Sequence, residues 1–250
     1  AISACEKCSQ WLEVMGMLAD MALCCLAPDV ITYNAAISAC GKGVEWHEAV
    51  RLLWDIQLRR LEPDAISYNA AISACEKGAQ WHHGLAVLSD MRRRRTEPDV
   101  ITYSAAISAC EKGAHWQEAL TMLSDMRSQR LNPSVITHSA AVSAFEKGAQ
   151  WHAALGMWRD MRLRCLVPDV IVSNAAISAC EKCSQWLEVM GMLADMALCC
   201  LAPDVITYNA AISACGKGVE WHEAVRLLWD IQLRRLEPDA ISYNAAISAC

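Results

Sequence analysis

Apolar and polar positions along this chain follow the period of a helix, interrupted at regular intervals by Gly and Pro. Between Val30 and Asp64, Tyr33, Ala36, Ile37 and Cys40 fall on one side of a helical projection within about 100°, the width of a buried stripe. Ile31, Asn34, Ser38 and Lys42 lie on the opposite side. Asp29, just before this segment, suits an N-cap because its carboxylate accepts orphan backbone N–H groups. A helix is therefore predicted over about Val30–Lys42, ended by Gly43. Trp46, Ala49, Val50, Leu53 and Ile56, again at helical spacing, predict a second helix over about Glu45–Arg59. Leu61-Glu62-Pro63-Asp64 ends it and caps the next helix.

The same helix pair recurs every 35 residues. Complete units span 30–64, 65–99, 100–134, 135–169, 170–204 and 205–239, with partial units at 1–29 and 240–250. Gly78, Gly113, Gly148 and Gly218 punctuate their units as Gly43 does. A fixed period of this length means stacked antiparallel helix-turn-helix units, an all-α solenoid expected to form one continuous domain. Such a chain carries its function in columns of repeated side chains. Both ends fall inside a unit, so a fragment of a longer array is expected. Residues 176–250 are identical to residues 1–75, which points to duplication of a five-unit block.

Comparing units separates two kinds of position. The apolar column tolerates changed volume: Cys40 becomes Phe145, and Tyr33 becomes His138 or Ser173. The opposite column is Ile in every unit, then Asn or Ser, then Ser, then Lys. Solvent exposure alone does not demand such uniformity. Asn34 sits inside a helix, where its propensity is poor, so capping does not account for it.

Bulk properties narrow the reading. The net charge is −6, an awkward balance for a nucleic-acid binder. Glu45, Glu48, Asp55 and Glu62 place acid mainly on second helices and loops, away from the invariant column. No apolar run approaches the roughly 18 to 20 residues of a membrane span. Most of the 14 Cys fall in repeat register, which points to packing in a reducing compartment.

The segment Pro28-Asp29-Val30-Ile31-Thr32-Tyr33-Asn34 and its counterparts resemble the signature of pentatricopeptide repeat proteins built from uniform 35-residue units. Small Ala49 and Ala119 in second helices, and Met91, Met126, Met161 and Met196 near their ends, add to the likeness. Tetratricopeptide repeats differ, having a 34-residue period and a Trp-Leu-Gly signature. The resemblance implies a right-handed superhelix that binds single-stranded RNA, one base per repeat. It assigns base reading to the fifth and last residues of each unit. These pairs are Asn34 with Asp64, Asn69 with Asp99, Ser104 with Ser134, Ser139 with Asp169, Asn174 with Asp204, and Asn209 with Asp239. Bases are expected to lie between Ile31, Ile66, Ile101, Ile136, Ile171, Ile206 and Ile241. Phosphates are expected at Lys42, Lys77, Lys112, Lys147, Lys182 and Lys217, with Lys7 in the truncated unit.

Side-chain chemistry gives these pairs a base preference. Asp accepts only, so it favours the ring N–H of uracil or guanine. Asn reaches a small pyrimidine, whereas Ser leaves room for a purine. Asn with Asp then selects U with C tolerated, Ser139 with Asp169 selects G, and Ser104 with Ser134 leans to A. Parallel reading, another implication of the resemblance, gives 5′-UU(A)GUU-3′. Six Lys each meeting one phosphate imply a salt slope of about −4, from roughly 0.7 per contact. The Lys column also suits a helix C-terminus, and Glu76-Lys77 and Glu111-Lys112 neutralise each other on paper. Phosphate contact is preferred because Lys persists where Glu becomes Gly41 and Gly216.

Other motifs are read as structural. Cys5-x-x-Cys8 and Cys180-x-x-Cys183, with Cys24-Cys25 and Cys199-Cys200 nearby, invite zinc, but a core thiol fits their register better. His47, His82 and His152 become Gln117 and Leu187 in other units, against a ligand role. Arg92 to Arg95 is read as a solvated loop. No nucleophile–base constellation, phosphate-cradling Gly loop or deaminase signature is present in the sequence. The expected protein is not an enzyme and takes no cofactor, metal or small-molecule substrate. Its expected role is organelle RNA processing, stability, translation or editing, in mitochondrion or chloroplast, with other RNA-processing proteins as further partners. The alternative is a helical-repeat scaffold that binds a peptide in the same groove.

Overall fold

The computed structural model describes residues 11–164 and 166–249, so Cys5, Lys7 and Cys8 lie outside the described residues. The described residues form fourteen α-helices and no strand. They are α1 (Trp11–Leu23), α2 (Val30–Lys42), α3 (Trp46–Leu58), α4 (Ala65–Lys77), α5 (Trp81–Arg93), α6 (Val100–Lys112) and α7 (Trp116–Ser128). Then come α8 (Val135–Lys147), α9 (Trp151–Leu163), α10 (Val170–Lys182), α11 (Trp186–Leu198), α12 (Val205–Lys217), α13 (Trp221–Leu233) and α14 (Ala240–Ala249). Two compact units divide between Thr137 and His138, within the continuous helix α8. Among the described residues no helix is long and apolar enough to cross a membrane.

In the unit ending at Thr137, α2 packs on α3 and α4, and α4 on α5 and α6. Each second helix also rests on the first helix of the next repeat, α3 on α4 and α5 on α6. The unit beginning at His138 repeats this arrangement, with α10 against α12 and α12 against α13 and α14. This is an α-solenoid of antiparallel helix pairs.

The stacking follows from side-chain size. Tyr33, Ala36, Ile37 and Cys40 are buried as the projection requires, as are Ala49, Leu53 and Ile56 facing them. Burying an Ile or Leu of this kind contributes about 1.5–3 kcal/mol. Ala39, Ala74 and Ala109 are fully buried as well, where successive first helices meet. The approach is close: a Cβ on Gly41 would sit 3.3 Å from Ala74 Cβ.

The glycines after the first helices act differently from the sequence expectation. Gly43 and Gly78 cap α2 and α4 with φ of −79°, in ordinary right-handed backbone. The left-handed position falls one residue later, on Val44 (φ 65°) and Ala79 (φ 54°). What excludes a side chain at Gly78 is Trp46, whose Cδ1 would lie 2.5 Å from an added Cβ. Gly43 meets Trp11 and Gly113 meets Trp81 in the same way.

Candidate functional site

The face of the first helices turned away from the core carries the Ile, Asn or Ser, and Lys columns together. Every one of Ile31, Ile66, Ile101, Ile136, Ile171, Ile206 and Ile241 is between 63% and 77% exposed. Helices leave large β-branched side chains in water at every repeat only at an energetic disadvantage, so this column marks a surface suited to an apolar or aromatic occupant. Between α12 and α14 the surface deepens into an open groove of about 720 Å³. Ile206 and Ile241 line it with Asn209, Asp239, Lys217 and Glu181.

On this face the fifth residue of a repeat meets the last residue of the same repeat. Asn34 Nδ2 donates to Asp64 Oδ1 and Oδ2 at 3.1 and 3.3 Å. Asn69 reaches Asp99 at 3.3 and 3.4 Å, Asn174 reaches Asp204 at 3.1 and 3.4 Å, and Asn209 reaches Asp239 Oδ1 at 3.1 Å. Asp64, Asp99, Asp204 and Asp239 are at the same time N-caps, accepting from the backbone N–H of the third helical residue at 2.8 Å. Burial alone pushes the Asp64, Asp99 and Asp204 carboxyls up. Hydrogen bonds from that N–H, from the adjacent hydroxyl and from the Asn amide more than offset it, leaving each below the usual carboxylate range. Asp239 is held down chiefly by the Ser242 N–H. These acids are ionised acceptors at neutral pH.

Repeats with Ser at the fifth position differ. Ser104 does not bond Ser134 directly; its hydroxyl lies 2.6 Å from Thr137 Oγ1, which in turn lies 3.0 Å from Ser134 Oγ. The Ser139 hydroxyl makes no hydrogen bond among the described residues. Among the described residues the Asp169 carboxylate opposite it accepts only from Val172 N, at 2.8 Å.

The Lys column is exposed throughout, from Lys42 to Lys77, Lys112, Lys147, Lys182 and Lys217. Its pairing runs between repeats rather than along one helix. Lys112 Nζ lies 3.3 Å from Glu76 Oε1, Lys217 lies 2.7 Å from Glu181 Oε1, and Lys182 pairs with Glu146. Lys77 faces Gly41 at the equivalent place and pairs with no carboxylate among the described residues. Ser178 and Ser213, from the invariant Ser column, donate to Glu146 and Glu181 at 3.1 and 2.6 Å.

Away from this face, the Arg92 to Arg95 stretch is exposed, but it begins in a helix and three of its arginines are paired. Arg92 lies in the last turn of α5, donating to Tyr103 Oη at 2.7 Å and to Asp125 Oδ2 at 2.6 Å. Arg93 and Arg94 converge on Asp90, whose buried carboxylate also accepts from Gln57 and Tyr68 at 2.9 Å. Cys180 is buried and its thiol is pushed up to about 12 by burial, while Cys183 donates to Ala149 O. Trp46 packs on His47 and Trp81 on His82, with ring centroids 3.3 and 3.4 Å apart. The third-residue hydroxyls, Ser67, Thr102, Thr137, Thr207 and Ser242, escape the sequence reading because they look like ordinary helix-start residues. All are fully buried beneath the paired residues.

Comparison with known proteins agrees with this architecture. No curated protein sequence matches the chain. The crystal structure of the maize pentatricopeptide repeat protein PPR10 matches with TM-score 0.58 and 19% identity, over 99% of this chain and 40% of that one. This chain thus spans less than half the length of that neighbour. The PPR domain of Arabidopsis thaliana protein-only RNase P 1, in complex with tRNA, matches with TM-score 0.61 and 16% identity, over 68% of this chain and 90% of that one. Identities this low establish likeness of fold alone. The profile described as PPR repeat family matches residues 28–77, 63–112 and 203–250, and that of the PPR repeat matches residues 101–131. With more than half of its length matched, the chain belongs to the PPR repeat family.

Proposed function

We propose that this protein binds single-stranded RNA in a sequence-dependent manner, one base to each pair of fifth and last residues. The observation that carries the reading is the four Asn–Asp pairs, each joined by a hydrogen bond between the fifth and last residues of one repeat and flanked by exposed Ile. A base lying between two Ile side chains presents its Watson–Crick edge to such a pair. The amide then supplies a donor and an acceptor, and the carboxylate supplies an acceptor. The Arabidopsis neighbour is bound to an RNA, which supports the same class of ligand here.

Asn34–Asp64, Asn69–Asp99 and Ser104–Ser134 read UU(A), all within the first unit. Ser139–Asp169, Asn174–Asp204 and Asn209–Asp239 read GUU within the second. Exposed Lys side chains meet the phosphates. The protein acts by occupying its site in organellar RNA, or by bringing other RNA-processing proteins there, rather than as an enzyme. Fluorescence anisotropy with 5′-UUAGUU-3′ in neutral flanks, beside 5′-UUAAUU-3′ and an A-rich control, tests this. Binding that weakens from the first RNA to the third supports the reading. Equal weak binding to all three contradicts it and favours a peptide-binding scaffold.

A further inference from the structure

The third residue of each first helix carries a hydroxyl in every repeat but one: Thr32, Ser67, Thr102, Thr137, Thr207 and Ser242, with Val172 the exception. Where the preceding repeat has Asn, the hydroxyl sits against the amide oxygen. Ser67 Oγ lies 2.5 Å from Asn34 Oδ1, Thr102 Oγ1 2.5 Å from Asn69 Oδ1, Thr207 Oγ1 2.5 Å from Asn174 Oδ1, and Ser242 Oγ 2.6 Å from Asn209 Oδ1. The same hydroxyls lie 2.8 to 3.0 Å from Oδ1 of the capping Asp and accept from its backbone N–H.

We propose that this hydroxyl is a positioning residue for the base-reading pair of the preceding repeat, an inference that rests on the Asn–Asp pairs being base readers. An amide has nearly the same shape either way round, so its orientation is set by its partners. The Asp carboxylate accepts only, which draws Nδ2 towards it. The one proton of the hydroxyl is shared between Asp Oδ1 and the nearer Asn Oδ1, and that contact holds the opposite end of the amide. Both ends are then assigned. One N–H of Nδ2 and one lone pair of Oδ1 remain for a base, always in the same order.

The exception follows the same logic. Val172 fills the slot with methyl groups and is 1% exposed. An Asn above it would have its oxygen over a buried apolar surface with no donor. The residue there is Ser139, whose hydroxyl makes no hydrogen bond among the described residues. The missing hydroxyl thus falls beneath a short fifth residue, never beneath an Asn, while Ser104, the other short fifth residue, keeps its hydroxyl partner Thr137 at 2.6 Å. Capping alone does not account for this pattern, because a cap needs only the Asp three residues before the hydroxyl, whereas the amide lies 33 residues before it.

The experiment uses the full chain and anisotropy with RNAs that carry U, C, A or G opposite Asn174–Asp204. In Thr207→Val, preference for U over the other bases at that position falls by about fivefold, the effect of one lost hydrogen bond, with selectivity elsewhere unchanged. Thr207→Ser retains the preference. Asp204 still caps the Val backbone N–H, as Asp169 caps Val172, so only the hydroxyl's bond from Asp204 N is lost; this lowers thermal stability in Thr207→Val, and that change by itself does not alter base order. Ser139→Asn with Val172→Thr supplies a gain-of-function arm: the pair gains a preference for U opposite Asp169 that Ser139→Asn alone lacks. Unchanged U preference in Thr207→Val, or equal U preference in the single and double variants, overturns the positioning role. A wild-type protein with no base preference anywhere overturns the base-reading account itself, and this inference with it.

Discussion

Lys217 Nζ lies 2.7 Å from Oε1 of Glu181, which belongs to the first helix of the preceding repeat. The cation proposed to meet a phosphate is already held by an acid, and Ser213 holds that acid in turn at 2.6 Å. An exposed pair of this kind contributes about 0.2–1 kcal/mol. On the proposed reading, phosphate competes with Glu181 for Lys217. Glu181→Gln is expected to tighten RNA binding by roughly threefold near 0.1 M salt. Lys217→Ala weakens binding and reduces the salt slope by about 0.7. Anisotropy titrations over a salt series check both, and unchanged binding in Glu181→Gln contradicts competition.

The glycines and the left-handed positions beside them make predictions of opposite sign. Gly78→Ala places a methyl 2.5 Å from Trp46 Cδ1, an overpacking that costs about 1–3 kcal/mol. Val44 holds φ at 65°, which a β-branched residue adopts only under strain. Val44→Gly is expected to stabilise by about 1 kcal/mol, since left-handed backbone costs a non-Gly residue that much. Urea unfolding of the two variants checks the pair. A stabilised Gly78→Ala protein would show that the tryptophan moves aside freely.

Much of this fold is legible in the sequence because burial and helix capping are local. Asp29, Val30 and Lys42 bound α2 as the projection indicates, and Tyr33, Ile37 and Cys40 are buried. What is not legible involves partners about 30 to 37 residues apart. Glu111-Lys112 looks like a neighbouring pair, yet Lys112 turns to Glu76. Arg92 looks like free charge until Asp125, 33 residues on, is placed against it. Ser67 and Thr102 give no signal because their role needs Asn34 and Asn69 of the preceding repeat beside them. Gly78 reads as a conformational stop because Trp46, the side chain that it accommodates, is distant in sequence.

Acid should weaken the fold through its caps. The folded carboxyls of Asp64, Asp99 and Asp204 lie below their ordinary value, so their contribution is fully present above the unfolded value of about 3.9. It is lost as pH falls through the folded values. Urea midpoints are therefore expected to change little through these groups between about pH 7 and 5 and to fall below about pH 4. Asp204→Ala removes about 1 kcal/mol of capping at neutral pH and flattens part of that acid loss. A variant with the wild-type acid profile would rule out this cap as a source.

Thiol reactivity divides the cysteines by position. Cys24, Cys25, Cys199 and Cys200 are exposed, whereas Cys40, Cys75, Cys110, Cys180 and Cys215 are buried. Burial raises Cys75, Cys110 and Cys180 to about 12, and Cys40 and Cys215 to about 11. Thiolate is the reactive form, so peptide-resolved iodoacetamide labelling at about pH 8 should modify the first group quickly and the second only on unfolding. Rapid native-state labelling of Cys75 would contradict the packed core.

The most direct test of the central claim is a change of base preference at one repeat. Among the described residues the Asp169 carboxylate accepts only from Val172 N and the Ser139 hydroxyl opposite it is unbonded, so this pair is open to ligand. A carboxylate there favours the ring N–H of guanine, whereas an amide can donate to the ring nitrogen of adenine. Anisotropy of wild-type and Asp169→Asn proteins with 5′-UUAGUU-3′ and 5′-UUAAUU-3′ reads this alone. The account predicts preference for the G-containing RNA in the wild type and for the A-containing RNA in the variant. The same order of affinities in both proteins would contradict it.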